Sequence, residues 1–418
     1  MVTRRFPTAT PPAAPSRASR RWLILALGVA AQTSTCVFLY GLPALLPLLH
    51  STDAVRSGGL SLARAGVVVA APSAGLLATL IAWGAAADRF GERRVIVIGL
   101  AGAAAAIAVA ASVSSLPALL LWLVIAGAAA ASVNAASGRL VLGWFAREQR
   151  GLAMGIRQTA QPLGVAVAAL VLPSVGERAG FAAALAVPAA LCAICAVLVW
   201  SFAADPQHEV DSQGAGAGRS RSPYRESVLW RIHLASAALV VPQFTVSAFT
   251  VAYLVAQRDW SPVAAGRAVF VMQVAGAAGR IGAGVWSDQV GSRLRPMRTL
   301  AVASALIMAA VAALDRLASP LVILALGLAT VITVADNGLA FTAVAEVAGS
   351  RWAGRALGAQ NTGQNLAAAA TPAVLGAVLQ AHGYVAGFAA AAVVPVVAIA
   401  VTPVRRAERR PGLATRAA

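Results

Sequence analysis

Apolar runs of about 20 residues and more follow one another along the chain, separated by short polar breaks that carry arginine. None shows the two-residue alternation of a half-buried strand. At about 1.5 Å per helical residue, runs of this length cross the roughly 30 Å of hydrocarbon in a bilayer. Lipid offers an open backbone no hydrogen-bond partner, so long runs without alternation predict spanning helices rather than strands. The pattern predicts twelve spans, over 22–48, 61–87, 94–113, 117–142, 151–174, 179–202, 230–256, 262–287, 298–315, 319–346, 354–380 and 383–403. Residues 203–229 form the longest polar interruption and separate six spans from six; 214–222 hold only Gly, Ala, Ser and Arg, as in a flexible cytoplasmic linker. The organisation expected is a disordered tail over 1–21, six-helix halves over 22–202 and 230–403, and a short basic tail over 404–418. The apolar run from Trp22 is too long, and too poor in a small-residue cleavage site, for a secretory signal.

The two halves repeat one another. Ser61, Gly66, Gly84, Asp88, Gly91 and Arg93 recur 200 positions later as Ser261, Gly266, Gly284, Asp288, Gly291 and Arg293. Asn134, Gly151, Gly155, Thr159 and Gln161 recur at an offset of 203 as Asn337, Gly354, Gly358, Thr362 and Gln364. An internal repeat of half an apolar chain predicts an all-α membrane protein: twelve transmembrane helices in two pseudo-symmetric six-helix halves, as transporters are built.

Composition agrees with the pattern. The chain has 418 residues, of which 59% are hydrophobic and 11% charged, too few charges to coat a water-facing surface. The formal charge is +18 and every one of the 33 basic residues is arginine. With the N-terminus inside, and arginines near the ends of spans counted with the nearer face, 26 fall toward the cytoplasmic side and six toward the external side, and Arg280 lies deeper within a span. This bias places both termini and the linker in the cytoplasm of a bacterial inner-membrane protein. It also explains the net charge as attraction to anionic lipid headgroups, so nucleic acid is not an expected partner. Cys192 and Cys195 share a Cys-x-x-Cys spacing but lie in an apolar run with no charge to activate a thiol, and read as small hydrophobes. The four histidines are scattered, so neither a metal nor a cofactor is expected.

Between spans two and three stands Gly84-Ala-Ala-Ala-Asp88-Arg89-Phe90-Gly91-Glu92-Arg93-Arg94, with a degenerate copy from Gly284 through Asp288 and Gly291 to Arg293 between spans eight and nine. Gly84 and Gly284 permit close helix packing, Gly91 and Gly291 a tight turn. The carboxylate of Asp88 suits a facing helix N-terminus, where the dipole favours an anion. The loop resembles the G-x-x-x-D-R-x-G-R-R signature of the major facilitator superfamily, and with twelve spans and the repeat the resemblance covers nearly the whole chain. It implies that these loop residues latch the outward-facing state and do not bind substrate.

Ionisable and polar groups inside lipid are costly and so point to function. Arg280 lies eight residues before Asp288, and Gln273, Gly276 and Arg280 share one helix face. An arginine at this place resembles the nitrate/nitrite porters, and monocarboxylate and oxalate carriers have one at a similar depth; the resemblance implies an anion anchor, for which a planar guanidinium is suited. The chain departs from the nitrate porters in span two, where Leu80 aligns with Arg280. The alternative is a structural ion pair with Asp336 in span ten. In span five Arg157 and Gln161 are i, i+4 neighbours, as are Gln360 and Gln364 in span eleven, and the Arg157-Gln158-Thr159 stretch resembles the cyanate permease branch. Arg157 either faces the cavity or snorkels to the interface. Asn361, Asn337 and Tyr40 are further candidates for substrate contact, and Asp336 for proton coupling; Glu346 is expected to pair with Arg293 or Arg295.

The function expected is proton-coupled transport of a small anion (cyanate-like, nitrite-like or monocarboxylate) by alternating access, in a monomer. The alternative is proton-driven efflux of drug-like molecules, against which span five carries only Pro162-Leu-Gly164 of the G-P-x-x-G-G antiporter pattern. No nucleophile–base pair or metal constellation suggests an enzyme. From the arginine bias, cysteines placed at Ser212 and Ser115 should react with an impermeant maleimide from opposite faces of the membrane; labelling of the Ser212 position on intact cells would reverse the topology.

Overall fold

The computed structural model describes residues 17–45, 48, 61–206 and 222–404. The expected tail over 1–16, the centre of the linker over 207–221 and the basic tail over 405–418 lie outside the described residues. Among the described residues the secondary structure is helical throughout, with no strand. The helices are α1 (Arg17–Gly41), α2 (Leu62–Phe90), α3 (Glu92–Ser112), α4 (Leu116–Trp144), α5 (Arg150–Gln158) and α6 (Ala160–Phe202). After the linker come α7 (Ser227–Arg258), α8 (Pro262–Val290), α9 (Leu294–Arg316), α10 (Val322–Val334), α11 (Asn337–Ala348) and α12 (Ala353–Val401).

Among the described residues, ten helical segments are long and apolar enough to cross a membrane. Two are far too long for one crossing: at about 1.5 Å per residue, the 43 residues of α6 and the 49 of α12 would run roughly 65 and 75 Å. Each contains one non-helical glycine, Gly180 (φ 85°) and Gly383 (φ 82°), in the left-handed region that glycine adopts without a Cβ clash. The chain reverses there. A Cβ on Gly387 would lie 2.5 Å from Cγ of Leu379, whereas residues eight apart in a straight helix are about 12 Å apart. Division at these glycines turns ten membrane-length segments into twelve.

Two expected spans are not continuous. Span five divides at Thr159, between α5 and α6, and span ten divides at Ala335–Asp336, between α10 and α11. Pro162 explains the first. It has no N–H to donate to the carbonyl of Gln158 four residues earlier, and Thr159 tightens into an i–3 turn on Ile156. At the second break the Ala335 N–H likewise bonds back three residues, to Ile332, before α11 restarts. Helix α1 starts five residues ahead of the expected span, at Arg17.

Packing is alanine- and glycine-rich, so backbones approach closely. One core cluster draws only on residues between Ile24 and Ala203; a second draws on the later half together with Leu142 and Met154, and a third on the later half alone. Large apolar side chains such as Leu170, Leu306 and Leu324 stand more than 60% exposed on the outside, where lipid would cover them. Across the halves α2 meets α12, and α5 meets α8. These two crossings are alike. A Cβ on Gly84 would collide with the carbonyl oxygen of Gly354, and one on Gly354 with that of Gly84; Gly284 and Gly151 stand in the same mutual relation. One turn deeper, Gly358 faces the Leu80 carbonyl and Gly155 the Arg280 carbonyl, where a Cβ would lie 2.6 Å away.

Gly84→Ala should therefore force α2 and α12 apart at that end. Overpacking costs about 1–3 kcal/mol, so a cysteine at the buried Met154 position should react about tenfold faster or more with a thiol reagent. An unchanged labelling rate would show that the crossing has slack.

Candidate functional site

A cavity with about 560 Å³ of empty space, mouth included, lies between the halves. Its walls come from α1 (Gln32, Cys36, Tyr40), α4 (Asn134), α5 (Arg157, Gln158), the start of α6 (Gln161), α7 (Val240, Gln243, Phe244), α11 (Asn337, Phe341) and α12 (Asn361, Gln364, Asn365, Ala368). Nine of these sixteen side chains are carboxamides, one is a guanidinium and none is a carboxylate, so the lining carries a net positive charge.

Each half contributes the same pair: Gln32 Nε2 donates to Asn134 Oδ1 at 2.8 Å, and Asn337 Nδ2 donates to Gln243 Oε1 at 3.0 Å. The second pair extends to Gln364, whose Nε2 donates to Asn337 Oδ1 at 3.2 Å and to Ser236 Oγ at 2.7 Å. Two bonds cross the cavity between halves. Asn361 Nδ2 reaches the Asn134 carbonyl at 3.2 Å, and the Tyr40 hydroxyl donates to Asn365 Oδ1 at 3.3 Å. Of the residues expected here, Arg157, Gln161, Gln364, Asn361, Asn337 and Tyr40 line the cavity together. Gln243, one wall of the second amide pair, escaped the sequence reading because it stands 211 positions after Gln32, outside both repeat offsets.

Arg157 sits at the junction of this network, 2% exposed. Nε and Nη2 donate to Ser137 Oγ at 3.1 and 2.8 Å, Nη2 to Gln32 Oε1 at 3.1 Å, and Nη1 to Gln158 Oε1 at 2.7 Å. Its Cζ lies 6.0 Å from the centre of the Phe341 ring. Among the described residues it forms no ion pair. The equivalent position of the second half, 203 residues on, is Gln360, whose Oε1 lies 2.5 Å from Nδ1 of His233.

Arg280 and Gln273 are not among the lining residues. Arg280 is 5% exposed and its Nη1 donates to the carbonyl of Gln158 at 2.5 Å. That carbonyl is the one Pro162 leaves without an intrahelical donor, so the proline in span five creates the acceptor that holds the arginine of span eight. Asp336, at the break in span ten, is 2% exposed, forms no ion pair among the described residues, and has its Oδ2 buried without a hydrogen-bond partner. Among the described residues no group of three or more His, Cys, Asp or Glu is placed to hold a metal ion.

At the end of the bundle where α2 and α8 finish, two aspartates cap helices of the opposite half. Asp88 accepts from the N–H groups of Gly354 (2.8 Å) and Arg355 (3.1 Å), at the first turn of α12. Asp288 accepts from those of Gly151 (2.9 Å) and Leu152 (2.8 Å), at the first turn of α5. Each carboxylate thus meets the positive end of a helix dipole. The counter-charges come from different places. Arg139 on α4 bonds Asp88 at 2.9 Å and Glu92 at 2.8 Å, whereas in the second half Arg293 bonds Asp288 at 2.5 Å and Glu346 at 3.4 Å. Gly91 (φ 87°) and Gly291 (φ 67°) turn the chain after each aspartate. Arg89 is exposed, stacked over Phe90. Arg93 turns away from Asp88. Its N–H donates to Asp205 Oδ1 at 2.7 Å and its guanidinium to the Trp200 carbonyl, tying α3 to the end of α6. Burial there lifts the Asp205 carboxyl above its ordinary range, against the pull of that N–H.

Comparison with known proteins places this geometry in context. Residues 22–372 match the family model of the Major Facilitator Superfamily. An uncharacterized MFS-type transporter of Mycobacterium tuberculosis H37Rv, Rv2994, is 43% identical over 404 residues, which cover 96% of this chain and 89% of that protein. Among solved structures, the human organic anion transporter MFSD10 aligns with a TM-score of 0.68 at 19% identity, over 93% of this chain and 100% of that one. The fucose:proton symporter FucP of E. coli aligns with a TM-score of 0.70 at 16% identity, over 93% and 98%. At these identities the two structures show likeness of fold alone.

Asp88→Asn removes the charge that meets Arg139, Arg355 and two helix N–H groups, at roughly 1.5–3 kcal/mol for a charged hydrogen bond. Transport should slow while substrate affinity stays within a few-fold, because Asp88 caps α12 of the opposite half and does not line the cavity. Lost binding with unchanged conformational exchange would place Asp88 in the site instead.

Proposed function

The chain belongs to the Major Facilitator Superfamily, and on that premise we propose that it carries a small anion with protons across a bacterial cytoplasmic membrane. The superfamily makes it a multi-pass secondary transporter of a small-molecule substrate; the anion, the protons and the orientation are the finer reading. The observation that carries it is Arg157: a guanidinium buried in the central cavity, hydrogen-bonded only to neutral groups. A buried unpaired charge costs several kcal/mol, and that cost is offset when a ligand brings the opposite charge. Amides hold the head in place without neutralising it, so the site keeps its charge for the substrate.

Arg280, held on the Gln158 carbonyl beside Arg157, adds positive potential from behind the wall. It also links span eight to the span that carries Arg157, which suits a group that senses the loaded site. Asp336 is the group we assign to the proton, since its unpartnered Oδ2 is placed to take one up. The aspartates at the closed end serve as the latch: their caps exist only while the two halves touch there. The arginine bias supports a latch end, termini and linker on the cytoplasmic side, with the cavity then reached from outside. The protein is proposed to work as a monomer.

Arg157→Lys keeps the charge and loses the planar fork, and should weaken anion binding by roughly 1.5–3 kcal/mol. Arg157→Gln should abolish it. Anion-induced thermal shifts of the purified protein measure both, with the ligand-free unfolding temperature as the check on folding. Binding kept in Arg157→Gln but lost in Arg280→Gln would move the anchor to span eight; binding kept in both would end the anion reading.

A further inference from the structure

One charge sets the direction of the side-chain amide hydrogen bonds that run from Arg157 to Gln158 and through Gln32 to Asn134. A guanidinium can only donate, so the amides touching Arg157 must turn their oxygens to it: Gln158 Oε1 at 2.7 Å and Gln32 Oε1 at 3.1 Å. Gln32 is left with its NH2 group, which donates to Asn134 Oδ1 at 2.8 Å. Asn134 is then left with Nδ2, which is buried and without a partner. None of these amides can be flipped without setting a donor against a donor. The wall built by α1, α4 and α5 therefore ends in N–H groups: the guanidinium, Asn134 Nδ2 and Gln158 Nε2.

The wall on α12 has the opposite polarity for an equally local reason. Asn361 commits Nδ2 to the backbone carbonyls of Leu357 (2.9 Å) and Asn134 (3.2 Å), which can only accept. Asn361 consequently presents Oδ1. Gln364, three residues on, spends Nε2 on Ser236 Oγ and Asn337 Oδ1 and presents Oε1. At i and i+3 the two oxygens share one helix face.

A cavity that donates from one wall and accepts on the other discriminates by chemistry. An ion that only accepts, such as nitrite, satisfies the Arg157 wall and leaves the α12 oxygens bare. An ammonium would meet those oxygens, but no lining residue is a carboxylate to balance its charge. A hydroxyl donates without charge. We propose that the substrate is a small hydroxylated carboxylate, its carboxylate on Arg157 and Asn134 and its hydroxyl hydrogens directed to Asn361 and Gln364. The proposal rests on the anion reading above and narrows it.

Calorimetric titration of the purified full chain with propionate, lactate, glycerate, alanine, glycerol and nitrite tests it. Affinity should rise about fivefold with each added hydroxyl, the worth of one neutral hydrogen bond, in the order propionate, lactate, glycerate; alanine and nitrite should bind more weakly than lactate. Gln364→Leu should bring lactate and glycerate within about twofold of each other, its thermal unfolding showing that it is folded. Propionate or nitrite binding as tightly as glycerate, or alanine tighter than lactate, would overturn the hydroxyl assignment and leave the anion reading intact. So would nitrite binding with no binding of the three acids. Glycerol binding as tightly as glycerate, or no binding of any anion to folded protein, would overturn both.

Discussion

At one end of the bundle the halves meet backbone on backbone, Gly84 against Gly354 and Gly284 against Gly151. At these glycines there is no room even for a Cβ, so the helices cross closely. Closeness in turn brings an aspartate on one helix within hydrogen-bond reach of the first N–H groups of the other. The glycines supply the geometry and the carboxylates supply the attraction. Neither works alone: a Cβ would push the cap out of reach, and without the carboxylate the helix ends would keep bare N–H groups between the halves.

This constraint reaches the cavity through a short, stiff piece of chain. Helix α5 runs nine residues from Arg150 to Gln158, roughly 13 Å, with Gly151 under the Asp288 cap and Arg157 in the cavity wall. Pro162 ends its regular bonding, and the carbonyl thereby freed is taken by Arg280 of the opposite half. Both ends of α5 are thus fastened to α8, one at the latch and one beside the site. A change at either end acts on the other through about two and a half turns of helix, with no longer path needed.

The two halves share a plan and differ in charge. The amide pairs Gln32–Asn134 and Gln243–Asn337 are the same device twice, but only the first is joined to a guanidinium; the second half has Gln360 at the matching place, bonded to His233. The asymmetry gives the cavity a donor side and an acceptor side. A symmetric lining would have had no preferred orientation for a ligand.

The spans, the repeat and the loop glycines were legible in the sequence because each answers a local demand: hydrocarbon thickness for the runs, a left-handed turn for Gly91 and Gly291, and one packing plan used twice. The breaks were half legible. Pro162 announces a defect in span five, yet nothing nearby in the chain says that Arg280, more than a hundred residues on, fills it. Depth in a span likewise did not tell Arg157 from Arg280, since both are buried arginines with polar neighbours. Which of them faces the cavity depends on the rotation of each helix about its axis, and that is set by glycine contacts with the opposite half. The amide network was invisible for the same reason: a hydrogen bond between Gln32 and Asn134 joins residues far apart in the chain, and its direction follows from a charge on a third helix. Sequence determined what kind of helix each segment is; the packing of the two halves decided which side chains meet, because only contact between distant segments selects one face of a helix over another.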